Sequence, residues 1–192
     1  MQYFFATILT FSFFALCGSE SHAQISKTKC ATPICNAIQS GNIKQAEDMI
    51  KKNPKIINSI EKFNSSLLHL SIRQNDVNMT KMLIKYKINT NNQDVGGASP
   101  LHIAARGNMV KIISILLEDK STELDIQDNE GYTPLMRAIS TGRSEATEEL
   151  LKHNPSCEIR NKNGKNIKEL TDIKLSQKAK DSLKNYIKNC KE

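Results

Sequence analysis

Four segments of the chain repeat one pattern at a spacing of 33 or 34 residues: Thr32-Pro33-Ile34-Cys35-Asn36-Ala37, Ser66-Leu67-Leu68-His69-Leu70-Ser71, Ser99-Pro100-Leu101-His102-Ile103-Ala104 and Thr133-Pro134-Leu135-Met136-Arg137-Ala138. A period of this length means that no unit can bury its own apolar face, so the chain must stack its units into a continuous solenoid. Nine positions after each Ser or Thr, where a first helix has to stop, stand Gly41, Asn75, Asn108 and Gly142. Gly and Asn are the residues that enter the left-handed conformation most cheaply. Further on come apolar pairs in register, Met49-Ile50, Leu83-Ile84, Leu116-Leu117 and Leu150-Leu151, which mark the buried stripe of a second helix.

Each unit thus reads as a turn, a short helix, a tight loop, a longer helix and an extended connector. The Thr-Pro-Leu-His-x-Ala signature resembles that of the ankyrin repeat family, with His69 and His102 on its histidine. Cys35 and Met136 replace that histidine in the outer copies, and Leu67 replaces proline in the second. The resemblance implies an all-α solenoid of stacked helix-turn-helix units with hairpin-like connectors. In this family the histidine hydrogen-bonds its own turn and holds neighbouring repeats together.

The expected repeats run over about 31–63, 64–96, 97–130 and 131–163, and a C-terminal cap fills 164–192. The cap starts like the other units, with Gly164, Asn166 and Ile167. Its second helix keeps one apolar stripe, Leu175, Ala179, Leu183, Tyr186 and Ile187, and is otherwise polar, as the last unit of a stack has to be. The connector tips, Glu61 to Asn64, Asp94 to Gly97, Asp128 to Gly131 and Asn161 to Gly164, each end in Gly or Asn as a tight turn requires.

Residues 1–23 contain no Lys or Arg. An apolar run from Tyr3 to Leu16 is short for a bilayer span, and Ser21-His22-Ala23 gives a small-x-small cleavage pattern before Gln24. A removed signal peptide is the expectation, followed by a short polar lead over 24–30 and the repeat domain over 31–192. Export to the periplasm or medium follows from it, and a membrane anchor is the alternative if 1–23 is retained. Loss of Glu20 takes the acidic count from 20 to 19 against 27 bases, a formal charge of +8 that favours acidic partners. The chain has no tryptophan, and five of its six phenylalanines lie before residue 15, so stacking platforms for single-stranded nucleic acid are nearly absent. Nine lysines from Lys162 onward spread around the last helix as a solvated face.

No phosphate loop, nucleophile elbow, zincin helix or Cys-x-x-Cys pair appears, so no catalytic, cofactor-binding or metal-ligating residue is expected. Four cysteines, Cys30, Cys35, Cys157 and Cys190, survive processing. Cys157 lies in the connector after the fourth repeat and Cys190 ends the next helix, so those two could pair, or Cys157 could be a buried filler. Cys30 and Cys35 could bridge only if Cys30 lies outside the first helix.

The resemblance implies a monomeric, non-enzymatic scaffold for a protein partner in the envelope, or for a host protein if the chain is released. The expected contact residues are Asp94, Val95, Asp128, Asn129, Glu130, Lys162 and Asn163 at the tips, where the fold does not need the side chains. In the groove they are Arg73, Arg106 and Arg137, which could form a positive stripe, and Ser140.

Overall fold

A computed structural model of the chain describes residues 32–170 and 174–190; the expected signal peptide over 1–23 and Cys30 lie outside them. Four helix pairs alternate along the chain: α1 (Pro33–Gln39) with α2 (Ile43–Lys52), α3 (Leu67–Arg73) with α4 (Val77–Lys85), α5 (Pro100–Arg106) with α6 (Val110–Glu118), and α7 (Pro134–Ser140) with α8 (Ser144–Leu151). A last helix, α9 (Gln177–Asn189), closes the stack. In the cap the first helix has shrunk to a single 3-10 turn, Ile167–Glu169.

Local chemistry sets each start and stop. Thr32, Ser66, Ser99 and Thr133 are the N-caps of the first helices, each accepting the backbone N–H three residues on. Proline occupies N1 in three of the four, where its missing N–H and fixed φ do no harm. The tight loops turn at Gly41, Asn75, Asn108 and Gly142, with φ of 67°, 55°, 57° and 68°.

The short helices α1, α3, α5 and α7 pack side by side in one layer, and α2, α4, α6, α8 and α9 form the second. Between the layers lies one apolar seam, including Ile38, Ile50, Leu68, Leu83, Leu101, Ile113, Leu116, Leu135 and Leu150. Leu175, Ala179 and Leu183 of the cap seal its end, while Tyr186 and Ile187 are half-buried against it.

Candidate interaction face: inner helices and connector tips

The tips are built by aspartate. Asp94 Oδ1 accepts the backbone N–H groups of Gly96 (2.9 Å) and Ala98 (3.0 Å), and Asp128 Oδ1 does the same for Glu130 (2.9 Å) and Tyr132 (3.0 Å). Each turn then closes through a left-handed glycine, Gly97 (φ 74°) or Gly131 (φ 79°). Asn161 repeats the arrangement with Asn163 and Lys165, both at 3.0 Å. Successive tips join through their backbones: Val95 N–H donates to Phe63 O, Asn129 N–H to Gly96 O and Lys162 N–H to Glu130 O, at 3.0, 3.1 and 3.0 Å. Glycine is required here for space as well as for φ, because a Cβ on Gly131 would lie 2.9 Å from the Lys162 nitrogen.

Behind the tips, neutral histidines tie each repeat to the next. Ser66 N–H donates to His69 Nδ1 (3.1 Å), which leaves the proton on Nε2, 2.9 Å from Ala98 O. His102 bridges Ser99 and Tyr132 O in the same way. Burial lowers the pKa of both rings, outweighing the carbonyl bonds that pull the other way. In the fourth repeat Met136 substitutes a sulfur that accepts Thr133 N–H at 3.5 Å, and a thioether has nothing to donate to the cap.

This geometry gives two of the expected tip residues a structural task. The carboxylates of Asp94 and Asp128 are structural, since each holds its own turn and also an arginine. Nor do the arginines form an open positive stripe. Arg73 donates to Ser65 Oγ (2.8 Å) and to Asp94 (2.9 Å), and Arg137 binds Asp128 through Nε and Glu130 through Nη2 (3.0 Å) while stacking on the Tyr132 ring at 4.1 Å. Burial lowers the pKa of the Arg73 guanidinium, with Asp94 opposing, whereas for Arg137 burial is overcome by Asp128 and Glu130. Burial also works against ionised Asp128, but Arg137 and the turn N–H groups hold its pKa below the usual value.

The remaining expected residues are accessible. Val95 is 64% exposed, and Asn129, Glu130, Lys162 and Asn163 lie at the surface, although Asn129 Nδ2 also donates to Val95 O at 2.9 Å. Ser140 is half-buried and donates to Arg137 O at 3.2 Å. Arg106 is exposed in a hollow of about 350 Å³ beside Val95, Ile103 and Arg137.

Two features are absent from the sequence expectations. Phe63 is 66% exposed at the first tip and adopts φ 59°, a conformation costly for a bulky side chain. With Ile60 (46% exposed) and Val95 it completes the set of large exposed hydrophobic residues among those described. Gln93 and Gln127 stitch neighbouring connectors together, Gln93 Nε2 donating to Gly97 O and Gln127 O at 2.6 and 2.8 Å, and Gln127 Nε2 to Gly131 O and Arg160 O at 2.7 and 3.0 Å. Their 34-residue spacing was a signal that could have found them.

At the far end Cys157 and Cys190 are brought together as a disulfide pair, their Cα atoms 6.5 Å apart. Cys35 is also disulfide-bonded; Cys30, whose bridge to Cys35 is conditional on its lying outside the first helix, is not among the described residues. Among the described residues no group of His, Cys, Asp or Glu is placed to hold a metal ion, and no helix is long and apolar enough to cross a membrane.

The stacked helix pairs, capped turns and histidine bridges define an ankyrin-repeat protein. A family model described as ankyrin repeats (3 copies) matches residues 34–127 and 91–163, so the chain belongs to that family. Among curated proteins it is similar to human transient receptor potential cation channel subfamily A member 1, at 26% identity over 117 residues, which is 60% of this chain and 10% of the channel. It is similar to mouse neurogenic locus notch homolog protein 1, at 27% over 121 residues, 59% of this chain and 5% of that protein. Tyrosine-protein kinase Shark of Drosophila melanogaster matches at 34% over 84 residues, 44% of this chain and 9% of the kinase. The chain thus spans a tenth or less of each of these relatives. Ankyrin repeats are protein-interaction modules, which supports a scaffold role, and the family is generally non-catalytic.

Proposed function

We propose that this chain is an exported, non-enzymatic scaffold that binds a protein partner through its connector tips and the adjoining inner helices. The observation that carries the reading is Phe63. An aromatic side chain held in a left-handed backbone and left 66% exposed costs stability and exposes apolar surface, a combination that fits contact with another protein. Val95, joined to Phe63 through its backbone, extends the apolar strip, while Asn129, Glu130, Lys162 and Asn163 supply a polar rim.

Export is supported by the apolar segment with its Ser21-His22-Ala23 cleavage pattern and by the pairing of Cys157 with Cys190, which a reducing compartment would not maintain. The disulfide staples the cap at an interface where Met136 cannot bridge as His69 and His102 do.

The reading is tested by capturing the tagged native protein from its own cells and medium, with quantitative mass spectrometry of its N-terminus and of every copurifying protein. A mature N-terminus at Gln24 with a reproducibly enriched protein partner is expected. A start at Met1 in the membrane fraction would replace export with anchorage, and the absence of any enriched protein would remove the scaffold.

A further inference from the structure

Arg73 and Arg106 occupy the same position of consecutive repeats, at the C-terminal ends of α3 and α5. Arg73 reaches forward to the aspartate of the next tip, Asp94. The corresponding aspartate for Arg106 is Asp128, but its second carboxylate oxygen is held by Arg137. Arg137 stands where the second and third repeats carry aliphatic Leu70 and Ile103, so the fourth repeat supplies its own arginine. The Arg106 side chain is consequently displaced from the pairing that its register offers. Among the described residues it makes no hydrogen bond or ion pair, and it stays exposed, near enough to Arg73 for the two like charges to repel.

Its surroundings are those of a small recognition hollow. The volume of about 350 Å³ lies at the lower end of binding-pocket sizes, with room for a few side chains. Val95 and Ile103 contribute apolar wall, and Arg106 is the guanidinium left without a direct ion pair, since Asp94 is paired with Arg73 and Arg137 takes both Asp128 and Glu130. Glu130 stands at the rim, shared with Arg137. One free guanidinium beside a fixed carboxylate matches a singly charged carboxylate better than a doubly charged phosphate.

We infer that Arg106 reads an acidic side chain, Asp or Glu, in a linear segment of the partner protein, with a neighbouring apolar side chain of that segment seated against Val95. This deepens the scaffold reading and rests on it.

The test is selection of a displayed random linear-peptide library on the purified protein, followed by affinity measurement on the wild type and on Arg106→Ala, Arg106→Lys and Phe63→Asn. The Arg106 side chain has no internal partner, and the bond from Arg143 Nε to the Arg106 carbonyl (2.8 Å) does not depend on it, so Arg106→Ala should fold like the wild type, checked by circular dichroism. The expected result is enrichment of peptides carrying Asp or Glu beside an apolar residue, with affinity lowered about tenfold or more in Arg106→Ala and partly restored in Arg106→Lys. Binding should also weaken as salt is raised. Peptides without acidic enrichment, or peptides bound equally by Arg106→Ala, overturn the assignment. If such peptides depend on Phe63 instead, the scaffold reading survives without it; if none is enriched over an unrelated control protein, both fall.

Discussion

His69 Nε2 lies 2.9 Å from the carbonyl oxygen of Ala98, so a ring that opens one repeat is bonded to the start of the next. The bond needs the neutral ring with its proton on Nε2, because Nδ1 is already an acceptor for Ser66 N–H. Burial lowers the pKa of both His69 and His102 below the ordinary imidazole value. The unfolded chain therefore takes up protons first as pH falls. The stabilisation is complete above about pH 6.5 and is lost as pH drops through the folded-state values. Urea denaturation at pH 7.5 and pH 5.5 should show a clear loss of stability at the lower pH, and the His69→Gln, His102→Gln double variant should lose most of that difference.

Asp128 is nearly enclosed, and its replacement strands Arg137 together with the N–H groups of Glu130 and Tyr132. Asp128→Ala should cost about 2–3 kcal/mol in chemical denaturation, whereas Lys162→Ala, at the surface, should stay within about 0.5 kcal/mol. Equal effects would contradict a structural role for the tip aspartates.

Phe63→Asn should behave in the opposite sense to a core mutation. Asn enters the left-handed region more cheaply than a bulky aromatic, so thermal stability should be unchanged or higher by about 0.5–1 kcal/mol. A marked loss of stability would mean that the exposed ring packs in the folded domain.

Closing the 33-residue separation between Cys157 and Cys190 should stabilise the cap by about 3–4 kcal/mol on the chain-entropy account. Dithiothreitol should lower the melting temperature of the wild type and further expose the α9 amides to hydrogen exchange. The Cys157→Ser, Cys190→Ser variant should start from a lower melting temperature. An oxidised protein with four titratable thiols would sink the staple.

Much of the fold was legible because each turn of the repeat uses a distinctive residue: Ser or Thr at the cap, Gly or Asn where φ turns positive, and an apolar pair on each second helix. The histidines were legible too, through the family signature. The roles of Asp94 and Asp128 were hidden, because a surface aspartate and one that accepts two backbone N–H groups look alike in sequence. The fate of the arginines was equally opaque, since whether Arg106 or Arg137 claims Asp128 depends on reach across a repeat boundary. Gln93 and Gln127 repeat in register, but glutamine carries no strong positional meaning, so their carbonyl bridges emerge only when the connectors are stacked. Phe63 lies in a segment legible as a tip, but its exposure in a left-handed turn was not, because sequence gives no reason to expect that conformation of a bulky aromatic.

Binding of protein by the tip strip rests on the exposed side chains of Phe63 and Val95. The most direct test is quantitative capture from native cells and medium by the wild type, Phe63→Asn and Val95→Ser, with equal folding of all three established by thermal denaturation. One or a few proteins should be enriched by the wild type and depleted at least several-fold with either variant. Undiminished capture by both variants would contradict binding through the strip.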